Sequence, residues 1–393
     1  MPGAPLTMLS VFATFAVGGP QVRFAALANR FGARYRHLIV AMDGDTACRE
    51  RLSPDLDLSF PEIPVQKGKT LVNLRNFRQF LHENQPDVLV TYNWGSIEWA
   101  MANFPGLIRH VHVEDGFGPE ERDGQIRRRV LTRRLVLRRS VVALPSQTLT
   151  RIATQVWRLD PRRVRTIPNG IDLARFSGRR DPSIAARRHD PASAAGRDPA
   201  TAAAWRDAAI AAAWRGEGPV IATVAALRAE KNLGRLLRAF AEATRARAGR
   251  LVIVGDGPER TGLEALAAQL GIGDRVSFLG HIAEPAALFA GFDIFVLSSD
   301  TEQMPIAVIE AMAAGLPVAA TDVGDVRGML ADANAGYVVP RDDAALAGSL
   351  AALLDDAELR SRVGAANRDR ALAAFDQERM FAAYAALFDG AAA

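Results

Sequence analysis

The chain has 393 residues, 49% of them apolar, which is too long for one ordinary domain and enough to bury two sizeable cores. Its single cysteine, Cys48, excludes an intrachain disulfide and a cysteine-based zinc site, and implies a reducing, cytoplasmic setting. The net charge of +4 hides an asymmetry: residues 216–393 carry 16 Lys+Arg against 24 Asp+Glu, and residues 1–215 carry 32 against 20. A basic half joined to an acidic half suggests an anionic partner, for which nucleic acid, anionic lipid and a phosphorylated acceptor all qualify. Only Lys67, Lys69 and Lys231 are lysines, so richness in arginine is in part a compositional bias.

In chain order, the apolar stretch Met8 to Val17 has no preceding positive residue and runs into Gly18-Gly19 and a helical pattern. It reads as a buried strand and not as a signal peptide. No window of 18 apolar residues lacks a charge, so no transmembrane helix is expected. Strands are predicted over 9–14, 37–41, 88–92, 109–113, 141–144 and 164–167, with helices such as 21–31 and 71–84 between them. From about 178 to 217 the periodicity fades into Ala, Arg, Asp and Pro, which suggests a loose insertion beside a linker, with 200–214 a possible helix. A second alternating series follows at 220–224, 251–254, 276–279, 294–297 and 318–320, and 371–388 closes the chain as a helix pattern. Alternation of this kind specifies parallel sheets covered by helices, and in such sheets ligands bind beyond the carboxyl ends of the strands.

The most informative stretch runs from Thr301 to Val318. Glu302 falls in the loop after an apolar strand, and Glu310 eight residues on lies inside the following helix. Pro305 suits the first turn of that helix, and the free N–H groups there, beside Met304, Pro305 and Ile306, attract a phosphate. Two carboxylates flanking such a site can hold sugar hydroxyls. The spacing Glu-x7-Glu, continued by Ala314-Gly-Leu-Pro-Val and Thr321-Asp-Val-Gly, resembles the retaining glycosyltransferases of family 4. The resemblance implies that Glu302 contacts the donor sugar and Glu310 the ribose. It also implies the GT-B fold class: α/β, two doubly wound Rossmann-like domains facing each other across a cleft. The N-terminal acceptor-side domain would span 1–175, a flexible insertion and linker 176–217, and the donor-binding domain 218–370. A C-terminal helix, 371–390, would pack back on the first domain.

Further motifs fit the same resemblance. Gly18 and Gly19 follow the first strand and precede a helix, where backbone N–H groups can approach the donor diphosphate. Arg228 and Lys231 follow the first strand of the second half, with Ala226 where the family usually has Gly. Their implied role is to neutralise the diphosphate as negative charge builds on the departing phosphate. Gly255, in Val-Gly-Asp-Gly-Pro, opens a strand-to-helix turn; Arg260 replaces the third glycine of a dinucleotide fingerprint, which argues against a dehydrogenase. His112 or Asp115, at the end of strand 109–113, stands where relatives place a functional His; His110 is a weaker candidate. Asn93, Trp94 and Glu98, after another strand, could stack on and hydrogen-bond an acceptor sugar or simply belong to the core.

Residues 127–139 hold seven arginines, among them Arg127, Arg128, Arg133, Arg134 and Arg138, with Val130, Leu131, Leu135 and Val136 at helical spacing. This is a basic amphipathic helix, suited to anionic phospholipid or to plain solvent. The resulting expectation is a bacterial, cytoplasmic, metal-independent retaining glycosyltransferase without cofactor, able to dock peripherally on the inner face of the cytoplasmic membrane. It would use a UDP or GDP sugar, bind no nucleic acid, and act on a cell-envelope glycan or lipid-linked acceptor in polysaccharide or lipopolysaccharide biosynthesis. Two alternatives stay open: a nucleotide-sugar epimerase of the same fold, and a non-catalytic anion- or nucleic-acid-binding protein.

Overall fold

The computed structural model describes residues 5–121, 124–176, 217–282 and 284–390. The expected insertion at 176–217 lies outside the described residues except at its two ends. The chain divides into two compact units: Met1–Pro168 with Glu378–Ala393, and Asn169–Gln377.

The first unit contains β1 (Leu6–Phe12), β2 (Tyr35–Ala41), β3 (Leu58–Ser59), β4 (Val88–Tyr92), β5 (Arg109–Val113), β6 (Val141–Leu144) and β7 (Val164–Thr166). All pairings are parallel, in the order β3-β2-β1-β4-β5-β6-β7. Its helices are α1 (Gly19–Phe31), α2 (Thr70–Asn84), α3 (Ile97–Ala102), α4 (Arg127–Val136) and the short α5 (Gln147–Arg151). The central strands β1 and β4 are mostly apolar without strict alternation because both faces are covered. On one face Phe12, Phe15, Phe24 and Tyr92 pack together; on the other, Leu9, Val11, Phe77 and Trp99 do. Each such buried side chain contributes on the order of 1.5–3 kcal/mol over the exposed state.

The second unit repeats the scheme with β8 (Val220–Val224), β9 (Arg250–Val254), β10 (Val276–Gly280), β11 (Ile294–Leu297), β12 (Val318–Thr321) and β13 (Val338–Val339). The strands run parallel in the order β10-β9-β8-β11-β12-β13. Its helices are α6 (Leu233–Ala243), α7 (Arg260–Gln269), α8 (Ile306–Ala313), α9 (Val326–Met329), α10 (Asp343–Asp355) and α11 (Ala357–Ala374). Apolar clusters again cover both faces of the sheet.

The closing helix differs from expectation. It is two helices, α11 and then α12 (Gln377–Asp389), broken at Phe375 and Asp376. The break has a local cause: Ile171 N–H donates to the Phe375 carbonyl and Gln377 N–H to the Ile171 carbonyl, so an extended segment takes the helix's hydrogen bonds. Beyond the break, Met380, Phe381, Tyr384 and Phe388 of α12 join the core of the first unit, while Ala371 stays in that of the second.

Both sheets reverse strand order beside their first strand, between β1 and β4 and between β8 and β11. Loops leaving the carboxyl ends of those strands diverge and leave a crevice.

Candidate functional site

In the second unit, the loop after β8 carries Arg228 and Lys231, and the loop after β11 carries Glu302. The two loops are tied together. Asp300 N–H donates to the Glu230 carbonyl at 2.9 Å, and Ser298 Oγ donates to the Lys231 carbonyl at 2.9 Å. Arg235 spans both, donating to the Ser298 carbonyl at 2.9 Å and to Asp300 Oδ1 at 2.8 Å. Asn232, in the left-handed region at φ 44°, turns the chain and caps α6. The outcome is that Lys231 Nζ lies 2.6 Å from Glu302 Oε1, which also accepts from Ser299 Oγ at 2.8 Å. Sequence placed these residues 71 apart; the reversal of strand order makes them neighbours.

Glu302 is further fixed by the turn after β12. Gly324 has φ +54°, and a Cβ there would lie 2.2 Å from the Glu302 carbonyl oxygen. Gly255 has a comparable reason to exist: at φ +136° a Cβ would meet the Ala225 carbonyl oxygen at 1.8 Å. The glycine lets the loop after β9 press against the loop after β8.

Glu310 occupies the fifth position of α8. Burial pushes its carboxyl up to about 7 from 4.5, with Arg175 pulling the other way. Arg175, on the turn Leu173–Phe176, was not anticipated; its guanidinium is bonded to Glu284. Pro305 stands at the N-cap with ψ 120°, one residue earlier than the helical position expected, and no side chain caps α8. The N–H groups of its first turn therefore meet no capping side chain beside the exposed Ile306. The Met304 carbonyl accepts from Asn169 Nδ2 at 3.1 Å, which pins this turn. Arg228 is exposed and lines a groove of about 370 Å³ with Asn232 and Glu259, so the structure does not give it the Glu302 partner that Lys231 has.

In the first unit, Gly18 is the extended N-cap of α1 and Gly19 its first residue, again without a side-chain cap. Asp115, at the end of β5, forms a bidentate ion pair with Arg23 of α1 at 2.5 and 2.8 Å. Burial works against the Arg23 charge, but Asp115 outweighs it and the guanidinium is held more firmly protonated than usual. Arg23 was missed because its partner is 92 residues away. Asn93, at φ 56°, accepts from Asp115 N–H at 2.7 Å through Oδ1. Asn93, Trp94 and Asp115 line a cavity of about 470 Å³ together with Glu120 and Arg129.

Three expectations are corrected here. His112 has no exposed surface and so cannot touch a ligand; its Nδ1 lies 2.8 Å from Thr91 Oγ1, which also meets His110 Nε2 at 2.8 Å. Of the two candidates at this strand end, Asp115 borders a cavity. Glu98 is turned inward, accepting from Thr70 Oγ1 at 2.5 Å and Asn73 Nδ2 at 2.9 Å, so its acceptor role is withdrawn. Arg133 is fully buried and leaves the basic surface of α4. It pairs with Glu121 at 3.1 Å and Glu114 at 3.4 Å and lies 4.9 Å from the Trp94 ring centroid and 5.0 Å from that of Trp157. Arg129 sits 4.8 Å from the same Trp94 ring, so guanidinium groups occupy the aromatic surface expected to stack on a sugar. Arg127, Arg128, Arg134 and Arg138 remain exposed, beside Leu131 and Leu135 at 56% and 51% exposure. Val130 and Val136 pack inward.

Among the described residues, no group of three or more His, Cys, Asp or Glu side chains is placed to hold a metal ion, and no helix is long and apolar enough to cross a membrane.

Residues 208–370 match the family described as "Glycosyl transferases group 1", and residues 17–175 match "Glycosyltransferase Family 4". Alpha-D-kanosaminyltransferase of Streptomyces kanamyceticus is 37% identical over 150 residues, 37% of this chain and 39% of that protein. N-acetyl-alpha-D-glucosaminyl L-malate synthase of Bacillus anthracis is 30% identical over 170 residues, 43% of this chain and 45% of that protein. The chain thus spans less than half the length of these curated relatives. In structure, HepE of Anabaena, solved in complex with UDP, matches with TM-score 0.76 and 18% identity over 98% of this chain and 100% of that one. That likeness shows the fold: two Rossmann-like α/β units of the GT-B class.

Proposed function

We propose that this chain, which belongs to the family 4 glycosyltransferases, moves a sugar from a nucleoside diphosphate sugar to a hydroxyl of a cell-envelope glycan or lipid-linked acceptor, with retention at the anomeric carbon. The observation that carries the reading is the Lys231–Glu302 pair at 2.6 Å beside the half-buried Glu310 and the uncapped start of α8. A purely structural ion pair has no need of a second carboxylate half-buried in the helix that follows. HepE was solved with UDP, which supports a UDP sugar as donor. A lipopolysaccharide core glycosyltransferase of Rhizobium meliloti, 35% identical over 140 residues, supports an envelope acceptor.

The roles follow from the chemistry of these groups. The first-turn N–H groups of α8 receive the diphosphate. Lys231 has three N–H donors; one serves Glu302, and the others can reach phosphate oxygens. As the bond from the anomeric carbon to the phosphate oxygen breaks, negative charge grows on the phosphate, and Lys231 with Arg228 stabilises it. The acceptor oxygen bonds to the anomeric carbon on the same face, and its proton passes to the departing phosphate. No metal is required of this scheme. Glu302 positions the sugar and Glu310 accepts from the ribose. In the first unit, Asp115, fixed by Arg23 and Asn93, accepts from a hydroxyl of the acceptor. The exposed Arg127, Arg128, Arg134 and Arg138 around Leu131 and Leu135 suit peripheral binding to anionic membrane.

A thermal-shift panel of UDP, GDP and ADP sugars tests the reading. A true donor at a hundredfold excess over its Kd stabilises by about 2.7 kcal/mol. Release of nucleoside diphosphate only when acceptor is present, with an α-linked product from an α-linked donor, supports transfer with retention. Turnover of donor alone to an isomeric nucleotide sugar refutes it.

A further inference from the structure

A second cavity of the first unit lies at the other end of its sheet. It has a volume of about 620 Å³ and sits at the amino ends of β5 and β6, bounded by the loop before β5 and by α12. Four arginines line it, Arg109, Arg139, Arg163 and Arg165, and no Asp or Glu does. These guanidinium groups bond to backbone carbonyls: Arg109 to those of Leu387 and Phe388, Arg139 to Pro105, Arg163 to Arg139, and Arg165 to Arg162 and Val164. A carbonyl takes donors but cancels no charge. The carboxylates whose charge reaches Arg109 are engaged elsewhere: Asp389 with Arg34 and Tyr35, and Asp87 with Thr7 N–H. His110, also in the lining, is driven by burial to a pKa of about 3, so the positive charge is that of arginine alone.

Asn103, Ser140 and Thr166 also line it, each with its side chain hydrogen-bonded within the protein, and most of the remaining lining is apolar. Val111, Val136, Val141 and Leu387 form part of the wall, and Phe104 and Leu107 stand at the surface, each 37% exposed. A fully hydrated ion needs no such wall, and an uncharged hydrocarbon needs no arginines. We infer that this cavity is a binding site for a phosphate-bearing amphiphile, with the phosphate among Arg109, Arg139, Arg163 and Arg165 and the apolar chain against Phe104 and Leu107. The site lies apart from the crevice at the carboxyl ends of β1 and β4, so its occupant need not be donor or acceptor. Arginine suits the task because its planar donors pair with phosphate oxygens two at a time.

Calorimetry on the full chain tests the site with monododecyl phosphate below its micelle concentration, inorganic phosphate, and neutral dodecyl maltoside. The proposal expects the dodecyl phosphate to bind at least tenfold more tightly than either of the others. Arg163→Glu/Arg165→Glu should weaken it at least tenfold, with the melting temperature held near that of the parent as the check on folding. If that variant does not fold, Arg163→Gln/Arg165→Gln carries the same expectation. Equal affinity for inorganic phosphate or for the maltoside overturns the proposal, as does dodecyl phosphate binding that both variants leave intact. These readouts involve neither nucleotide nor transfer, so they stand or fall apart from the proposed reaction.

Discussion

Glu310→Gln offers the sharpest test of how the second unit is built. The carboxyl titrates at about 7 in the folded chain against an ordinary 4.5, because burial disfavours its charge. At roughly 1.36 kcal/mol per pH unit, that interval sets a ceiling of about 3 kcal/mol. The folded value lies above the unfolded one, so the stabilisation is fully present below about pH 4.5 and is lost as pH rises through 7. The glutamine variant has no such term. Urea unfolding at intervals from pH 4.5 to 8.5 should show the parent losing up to about 3 kcal/mol relative to Glu310→Gln across that window. Arg175→Gln removes the charge that holds the pKa down, and should move the window to higher pH. A parent-minus-variant difference that does not change with pH refutes the reasoning, because it leaves Glu310 titrating as an exposed carboxylate does. The same titration reaches function if Glu310 accepts from a ribose hydroxyl. UDP affinity of the parent should then rise between pH 6 and 8 more than that of the variant, and Glu310→Ala should weaken nucleotide binding by roughly 1.5–3 kcal/mol.

Lys231→Ala and Arg228→Ala should each lower turnover by about a hundredfold or more with a smaller effect on donor KM, as loss of a preorganised charge does; near-normal turnover in both moves the diphosphate site elsewhere. Arg133→Leu leaves Glu114 buried without its cation and Glu121 with Arg129 alone, and should destabilise the first unit by about 3–5 kcal/mol; an unchanged melting temperature refutes the account of that network. Liposome co-sedimentation should show binding to anionic vesicles that fades with salt, each exposed arginine of α4 adding on the order of 1 kcal/mol; equal binding to neutral and anionic vesicles, or none to either, makes this helix a solvated surface.

Much of the fold could be read from residue order because parallel strands covered on both faces are continuous apolar runs. Val88–Tyr92, Val141–Leu144, Val220–Val224 and Ile294–Leu297 fall where the apolar runs place them. Leu58–Ser59 and Val338–Val339 did not stand out, since two residues at a sheet edge carry no periodicity. The break after Ala374 was equally hidden: Phe375 and Asp376 interrupt no helical pattern, and the segment at Ile171 that takes their hydrogen bonds is some two hundred residues away. Around the candidate site, the loops that carry Glu302, Lys231 and Asp115 and the helix that carries Glu310 lie where the sequence reading put them. Partnership was not legible, because Arg23 meets Asp115, and Arg175 faces Glu310, only once the loops are folded.

The arginine-rich helix shows why composition alone misplaces charge. Seven arginines between 127 and 139 suggest one basic face. Yet a guanidinium enters a core when carboxylates and aromatic rings replace its water, and Arg133 has Glu114, Glu121, Trp94, Phe117 and Trp157 to do so. Helical geometry fixes the consequence. Arg129 lies one turn before Arg133 on the same side and is drawn to Glu120 and Glu121, at 2.6 and 3.1 Å. Leu131 and Leu135, themselves four residues apart, are thereby turned outward among the remaining arginines. The apolar residues of this helix are therefore split, Val130 and Val136 inward and the two leucines outward. An outward leucine pair ringed by arginine is a better membrane surface than the all-basic face that composition suggests, because it joins apolar burial to charge attraction. The acidic residues that withdraw Arg133 thus help create the surface that the vesicle assay examines.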